Sequence, residues 1–245
     1  MTYVVLILAS LWAGMQNALA GGGSFITLPS LMLTGMDARA ANITSTVALF
    51  PAQIATGWTG RKLVSGTAGL SFRALVLISL LGGALGACLL LVTPPSFFAR
   101  LVPWLVLFAT IIFAYGSFAP RREGARHLSR FGAAGSQFCI SIYGGYFGGG
   151  IGFLMLAALT ASGLAIRAAG ASKNVLAGVM NASAVAIFVF SPEVKWFAAL
   201  VAGTGAIFGG VLGGLMLQKV NERLLRLVVV IIGIALTVGL FIRAR

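Results

Sequence analysis

Apolar residues run along this chain in long blocks, separated by short polar clusters. Continuous apolar spans are read at about 41–59, 74–92, 101–119, 174–190, 196–217 and 227–242. Each approaches the ~20 residues that an α-helix needs to cross hydrocarbon. Two further segments, about 2–35 and 132–163, are longer and are interrupted by glycine tracts. The tracts are Gly21-Gly22-Gly23-Ser24-Phe25 and Gly148-Gly149-Gly150-Ile151-Gly152-Phe153. The pattern predicts an all-α integral membrane protein of about eight hydrophobic segments, with no room for a soluble domain between them.

The glycine tracts belong to an internal duplication. A shift of 128 residues pairs Gly21 with Gly149, Gly22 with Gly150, Phe25 with Phe153, Gly35 with Gly163 and Val47 with Val175. It also pairs Arg39-Ala40-Ala41 with Arg167-Ala168-Ala169, and sets Thr44, Thr46 and Gln53 against Ser172, Asn174 and Asn181. The expected organisation is therefore a first transmembrane repeat at 1–119, a polar linker at 120–131 and a second repeat at 132–245. Broken hydrophobic helices at matching positions of two halves are a sequence pointer to a carrier's binding site.

Composition agrees with the membrane class. Of 245 residues, 59% are hydrophobic and 9% charged, and the mean hydropathy is +1.04. The net charge of +13 sits between apolar spans, where the positive-inside rule accounts for it, so no nucleic-acid partner is inferred. Cys88 and Cys139 fall in apolar segments and read as small hydrophobes rather than a disulfide or metal pair. Ala18-Leu19-Ala20 resembles a leader-cleavage site, but Met1-Thr2-Tyr3 carries no basic region and the segment has a counterpart within the chain. It is expected to stay in the mature protein.

Charge also bears on how the halves sit. If each broken segment simply crosses, Lys and Arg divide 10 against 7 between the two sides. If each enters and leaves on one side, the division is 12 against 5, nearer the expected asymmetry. Halves with an odd number of crossings are inverted about an axis in the membrane plane, so an inverted repeat is favoured over a parallel one. The linker would then be cytoplasmic and both termini outside.

No carboxylate or imidazole falls at mid-membrane: Asp37, Glu123, Glu193, Glu222 and His127 all lie in loops or at segment ends. Proton relays, metal transport and intramembrane proteolysis need such groups, so neither an enzyme, a cofactor nor a metal site is expected. What is present suits an anion. Glycine permits irregular backbone and close approach to a ligand, and half-helices starting near Ser24 and Gly152 would aim N–H groups and partial positive charge at the break. The backbone of Gly21, Gly22, Gly23 and Ser24, with that of Gly148, Gly149 and Gly150, is one candidate shell. Hydroxyls and amides of Thr44, Ser45, Thr46, Gln53, Ser172, Asn174 and Asn181 form the second, since they donate to an oxyanion without a competing carboxylate. Lys173 is either a cation beside the site or a snorkelling residue at a helix start. Isolated glycines such as Gly82 and Gly86 are read as packing residues.

The glycine tract followed by Pro29 and Leu31, then Ala40-Ala41-Asn42-Ile43-Thr44-Ser45, resembles the first repeat motif of the sulfite exporter TauE/SafE family. Ala171-Ser172-Lys173-Asn174-Val175-Leu176, with Asn181, is similar to that family's second motif. The resemblance covers nearly the whole chain. It implies a multi-pass permease of a bacterial inner membrane that moves sulfite, thiosulfate, sulfoacetate or related sulfur-containing anions.

The reading is a carrier for a small sulfur-containing anion, embedded in the lipid bilayer, with an exporter favoured because a negative-inside potential drives anions outward. A homodimer is compatible with it. Two alternatives stay open: a non-transporting membrane assembly subunit, and a cation-coupled uptake permease for a small organic anion.

Overall fold

The structure is a computed structural model that describes residues 2–19, 22–118, 128–216 and 222–243. Ten α-helices lie among them, with no strand. They are α1 (Thr2–Leu19), α2 (Ser24–Met32), α3 (Ala38–Gly60), α4 (Phe72–Val92), α5 (Pro95–Phe118), α6 (Arg130–Tyr146), α7 (Ile151–Ala161), α8 (Ile166–Phe188), α9 (Trp196–Met216) and α10 (Glu222–Arg243). A 3-10 turn at Arg61–Leu63 follows α3. The expected continuous spans correspond to α3, α4, α5, α8, α9 and α10, and the two glycine-broken segments to α1–α2 and α6–α7. By length and composition α4, α5, α8 and α9 are apolar enough to cross a bilayer. Leu81, Ile111 and Phe208 stand on the outer surface, more than half exposed, as lipid-facing side chains do.

The helix starts follow local chemistry. Asp37 caps α3 by accepting from the Arg39 and Ala40 N–H groups, Ser71 caps α4 through Ala74, and Ser129 caps α6 through Gly132. The two helices that begin inside the bundle differ. The N-caps of α2 and α7 are Gly23 and Gly150, which have no side chain to offer. Gly22, Gly148 and Gly150 hold φ of +86°, +78° and +75°, a left-handed backbone that glycine adopts without strain.

Helix ends identify the two ends of the bundle. At one, Arg39 at the start of α3 reaches the carbonyls of Leu91 and Thr93 at the end of α4 and the carboxylate of Glu193 before α9. Tyr3, Thr34, Gly35, Lys195 and Trp196 line one depression there, so α1 begins where α2 ends. At the other end, Thr67 Oγ1 donates to the Ser162 carbonyl at 2.7 Å and Leu128 N–H to the Ala161 carbonyl at 2.9 Å. There α7 ends beside the start of α6. Both broken segments are thus helical hairpins that enter and return at one end of the bundle, and they enter from opposite ends.

Each hairpin's first helix lies against a long helix in backbone contact. Tyr3 meets Phe197 with ring centroids 5.0 Å apart, and a Cβ added at Gly209 would sit 1.9 Å from the Leu11 carbonyl oxygen. So α1 runs parallel to α9. Likewise Gln137 donates to Ser79 at 2.8 Å, and a Cβ at Gly86 would lie 2.1 Å from the Ile142 oxygen, which places α6 parallel to α4. Small residues allow this approach, as is common between membrane helices. Gly82 and Gly86 pack in this way. Between the hairpins, α3 and α8 cross antiparallel at the centre, and α5 and α10 pair at the periphery.

Candidate functional site

A cavity of about 40 Å³ lies where the two hairpin breaks approach the central helices. That is room for roughly three water-sized groups. Asn17, Gly22 and Ser24 line it from the first hairpin, and Gly148, Ile151 and Gly152 from the second. Gln53 and Thr56 come from α3, and Lys173, Asn174 and Ala177 from α8. Helical spacing explains the last five: 53 and 56, like 173, 174 and 177, fall on one helix face.

Two uncapped helix starts meet at this cavity. In α7, Phe153 and Leu154 N–H bond back to the Gly150 carbonyl. The N–H groups of Ile151 and Gly152 precede them and have no backbone partner among the described residues. In α2, Phe25 N–H bonds to the Gly22 carbonyl, and Ile26 and Thr27 to that of Gly23. Ser24 stands ahead of them at the cavity wall. Such ends carry partial positive charge.

The side chains reinforce that sign. Among the described residues the lining holds one cation, Lys173, and no carboxylate. Among the described residues the Lys173 ammonium has no acidic or hydrogen-bonding partner, and the ion pair found there joins Arg39 to Glu193 instead. Asn174 and Asn17 likewise spend no side-chain hydrogen bond on a described residue. Gln53 accepts from Asn181 Nδ2 through Oε1 at 2.6 Å, which leaves its NH₂ group to offer. Asn181 itself is buried behind Gln53. These two residues are 128 positions apart, the spacing of the duplication.

Of the candidate ligand residues, Gly22, Ser24, Gln53, Gly148, Lys173 and Asn174 come together here. Gly21 lies outside the described residues. Gly23 packs on α1, where a Cβ would meet the Ala13 oxygen at 2.8 Å, and Gly149 packs on the Phe147 ring. Gly150 caps α7 against Ala109. Thr44, Ser45, Thr46 and Ser172 do not line this cavity and lie elsewhere. Thr44 accepts from Lys195 N–H, Ser45 pairs with Thr27, Thr46 donates to its own helix at Asn42, and Ser172 accepts from Ser65 N–H. Consecutive helical positions point about 100° apart, so three in a row cannot share one ligand. Asn17 and Thr56 were missed. Asn17 is the second of two adjacent amides, Gln16-Asn17, just before the glycine tract, and Thr56 follows Gln53 by nearly one turn.

Among the described residues no three His, Cys, Asp or Glu approach closely enough to hold a metal ion. Cys88 and Cys139 are free thiols on the exposed surface.

The model of the sulfite exporter TauE/SafE family matches residues 6–240. The chain belongs to this family. Among curated relatives of this TauE/SafE chain, one from Haemophilus influenzae named "Probable membrane transporter protein" is 30% identical over 92% of this chain and 89% of its own. One from a Sinorhizobium species, "Probable membrane transporter protein ORF9", is 28% identical over 96% and 90%. The Escherichia coli K12 "Probable membrane transporter protein YfcA" is 27% identical over 96% and 88%. Family and relatives together indicate a multi-pass membrane transporter.

Proposed function

We propose that this chain exports a small sulfur-containing oxyanion, sulfite foremost, across a bacterial inner membrane. The observation that carries the reading is the cavity itself. Two uncapped half-helix starts and a lysine unpaired among the described residues converge on a space of about 40 Å³, with no acid among the described residues of its wall. An anion is the ligand whose charge complements all three, and a space of this size suits an oxyanion of a few heavy atoms.

The two halves act as inverted counterparts around that site. Three observations support this: the hairpins enter from opposite ends, α1 on α9 and α6 on α4 exchange under the 128-residue shift, and Gln53 meets Asn181 at the centre. The end bearing Arg61, Lys62, Arg73, Arg130 and Arg167 is then cytoplasmic. The cavity lies nearer that end, because Gln53 and Thr56 are in the last third of α3 and Lys173 is in the first third of α8. At the opposite end Arg39 pairs with Glu193, Thr44 accepts from Lys195 N–H and Ser45 pairs with Thr27. On this reading the site opens toward the cytoplasm and is closed outward, and rocking of the halves exchanges the two. A negative-inside potential favours exit of the anion by about 2.3 kcal/mol per charge per 100 mV, so export needs no coupling ion.

The test is sulfite flux in proteoliposomes holding the wild-type chain, Lys173→Met or Asn174→Ala. The wild type is expected to carry sulfite, Lys173→Met to lose at least about tenfold and Asn174→Ala several-fold. Wild-type flux from both variants, with unaltered thermal unfolding, would refute the site.

A further inference from the structure

We propose that the cavity selects the fully deprotonated form of its oxyanion, so that the dianion is carried and the proton-bearing monoanion is refused. This rests on the anion-site reading above. It adds a choice between two forms of one ligand that interconvert near neutral pH.

The first ground is charge. Lys173 is the charged residue of the lining. The elements packed on α8 are α3, α4, α6, α7 and the Arg61–Leu63 turn. Their charged residues are Arg39, Arg73, Arg130, Arg61 and Lys62, and α8 itself adds Arg167; all are basic. Asp37 and Glu193 lie at the opposite end of the bundle, beside Arg39. Each further negative charge on the ligand is therefore favoured, with no acid in the lining among the described residues to repel it.

The second ground is hydrogen-bond direction. An ammonium and backbone N–H groups only donate. The Gln53 carbonyl oxygen is occupied by Asn181 at 2.6 Å, so that side chain also meets the ligand as a donor. A dianion accepts at every oxygen and matches such a wall. A proton-bearing oxyanion brings a donor of its own; no described carboxylate lines the cavity to receive it, and the acceptors left are the neutral amide oxygens of Asn17 and Asn174 and the hydroxyls of Ser24 and Thr56. Turning a neutral amide or hydroxyl to that proton replaces a charge-assisted hydrogen bond by a weaker neutral one, which costs about a tenfold loss of affinity. Both grounds have the same sign. One consequence is that each anion carried takes two charges across, doubling the outward drive of the membrane potential.

Equilibrium binding to the purified full-length chain tests the inference. Radiolabelled sulfite is titrated at pH values below and above the loss of its second proton, with sulfate and phosphate as competitors. Sulfate stays a dianion throughout, so its affinity reports any titration of the protein itself, while phosphate keeps a proton throughout. Apparent sulfite affinity is expected to rise with the dianion fraction relative to sulfate, and sulfate to displace at least about tenfold better than phosphate. In Lys173→Met that preference should fall to a few-fold. A sulfite affinity that ignores pH, or equal displacement by phosphate, would overturn the selection while leaving the anion site intact. No binding of sulfite or sulfate at any pH would overturn the site and the selection together.

Discussion

Arg39 is the side chain whose removal should loosen the closed end of the bundle most. Its Nε donates to Glu193 Oε2 at 2.9 Å and its Nη2 to Oε1, while Nη1 reaches the Leu91 carbonyl at 3.2 Å and that of Thr93. One guanidinium therefore ties α3 to the carbonyl end of α4 and to the segment before α9. Arg167, the counterpart of Arg39 in the duplication, is exposed and makes no ion pair with a described residue. The two partners are 14% and 23% exposed, between a surface pair and a buried one. Exposed pairs contribute about 0.2–1 kcal/mol, and removal of one partner from a fully buried pair costs about 3–5 kcal/mol. Arg39→Ala is therefore expected to cost about 2 kcal/mol, Glu193→Ala somewhat less, and the double-variant cycle to give a coupling of about 1 kcal/mol. Unfolding in mixed micelles measures these values. A second readout separates a gate from a strut. In a background carrying Cys88→Ser and Cys139→Ser, Ser45→Cys reports access to a buried position of the closed end. If about 2 kcal/mol of closure is lost, its reaction with an impermeant thiol reagent should quicken by roughly thirtyfold. The exchanged pair Arg39→Glu with Glu193→Arg should restore much of the protection. A coupling indistinguishable from zero, or unchanged labelling in Arg39→Ala, would refute the reasoning.

Other outcomes follow from the same geometry. Gly86→Ala and Gly209→Ala push a methyl into the Ile142 and Leu11 carbonyls, and each should cost about 1–3 kcal/mol in the same unfolding assay. Gly135→Ala, whose added Cβ meets nothing within 4 Å, should instead gain several tenths of a kcal/mol. Asn181→Ala removes the partner of Gln53 and frees that amide to rotate. Sulfite affinity is expected to fall several-fold with a stability loss of about 1 kcal/mol, and a change in neither would separate Asn181 from the site. Asn17→Ala, at the first hairpin's edge of the cavity, should weaken sulfite binding several-fold without altering thermal unfolding.

Much of the fold was legible because membrane helices must satisfy their own backbone and hide in hydrocarbon, which forces long apolar runs. The six plain spans and the two breaks were visible from that alone. The hairpins were legible only through charge: Arg167, beside α7's return, shares an end with Arg61 and Lys62 only if the broken segments turn back. The site was half legible. Glycine tracts mark where backbone can bend, but do not say which N–H groups stay unpaired. The polar run Thr44-Ser45-Thr46 falls away from the cavity because hydroxyls in an apolar helix serve equally as ties to neighbouring segments, here to Lys195 and Thr27. Asn181 was recognised as polar and matched in the duplication, yet its place behind Gln53 depends on the antiparallel crossing of α3 and α8. Sequence periodicity within either helix does not contain that crossing.

The central claim, that this chain alone moves a sulfur-containing anion down the membrane potential, is tested most directly by labelled sulfite efflux from proteoliposomes under an imposed potassium-diffusion potential. Efflux is expected to depend on the protein, to accelerate when the interior is negative and to slow when the potential is reversed. Protein-dependent flux that ignores the sign of the potential, or no flux under either sign, would contradict the account.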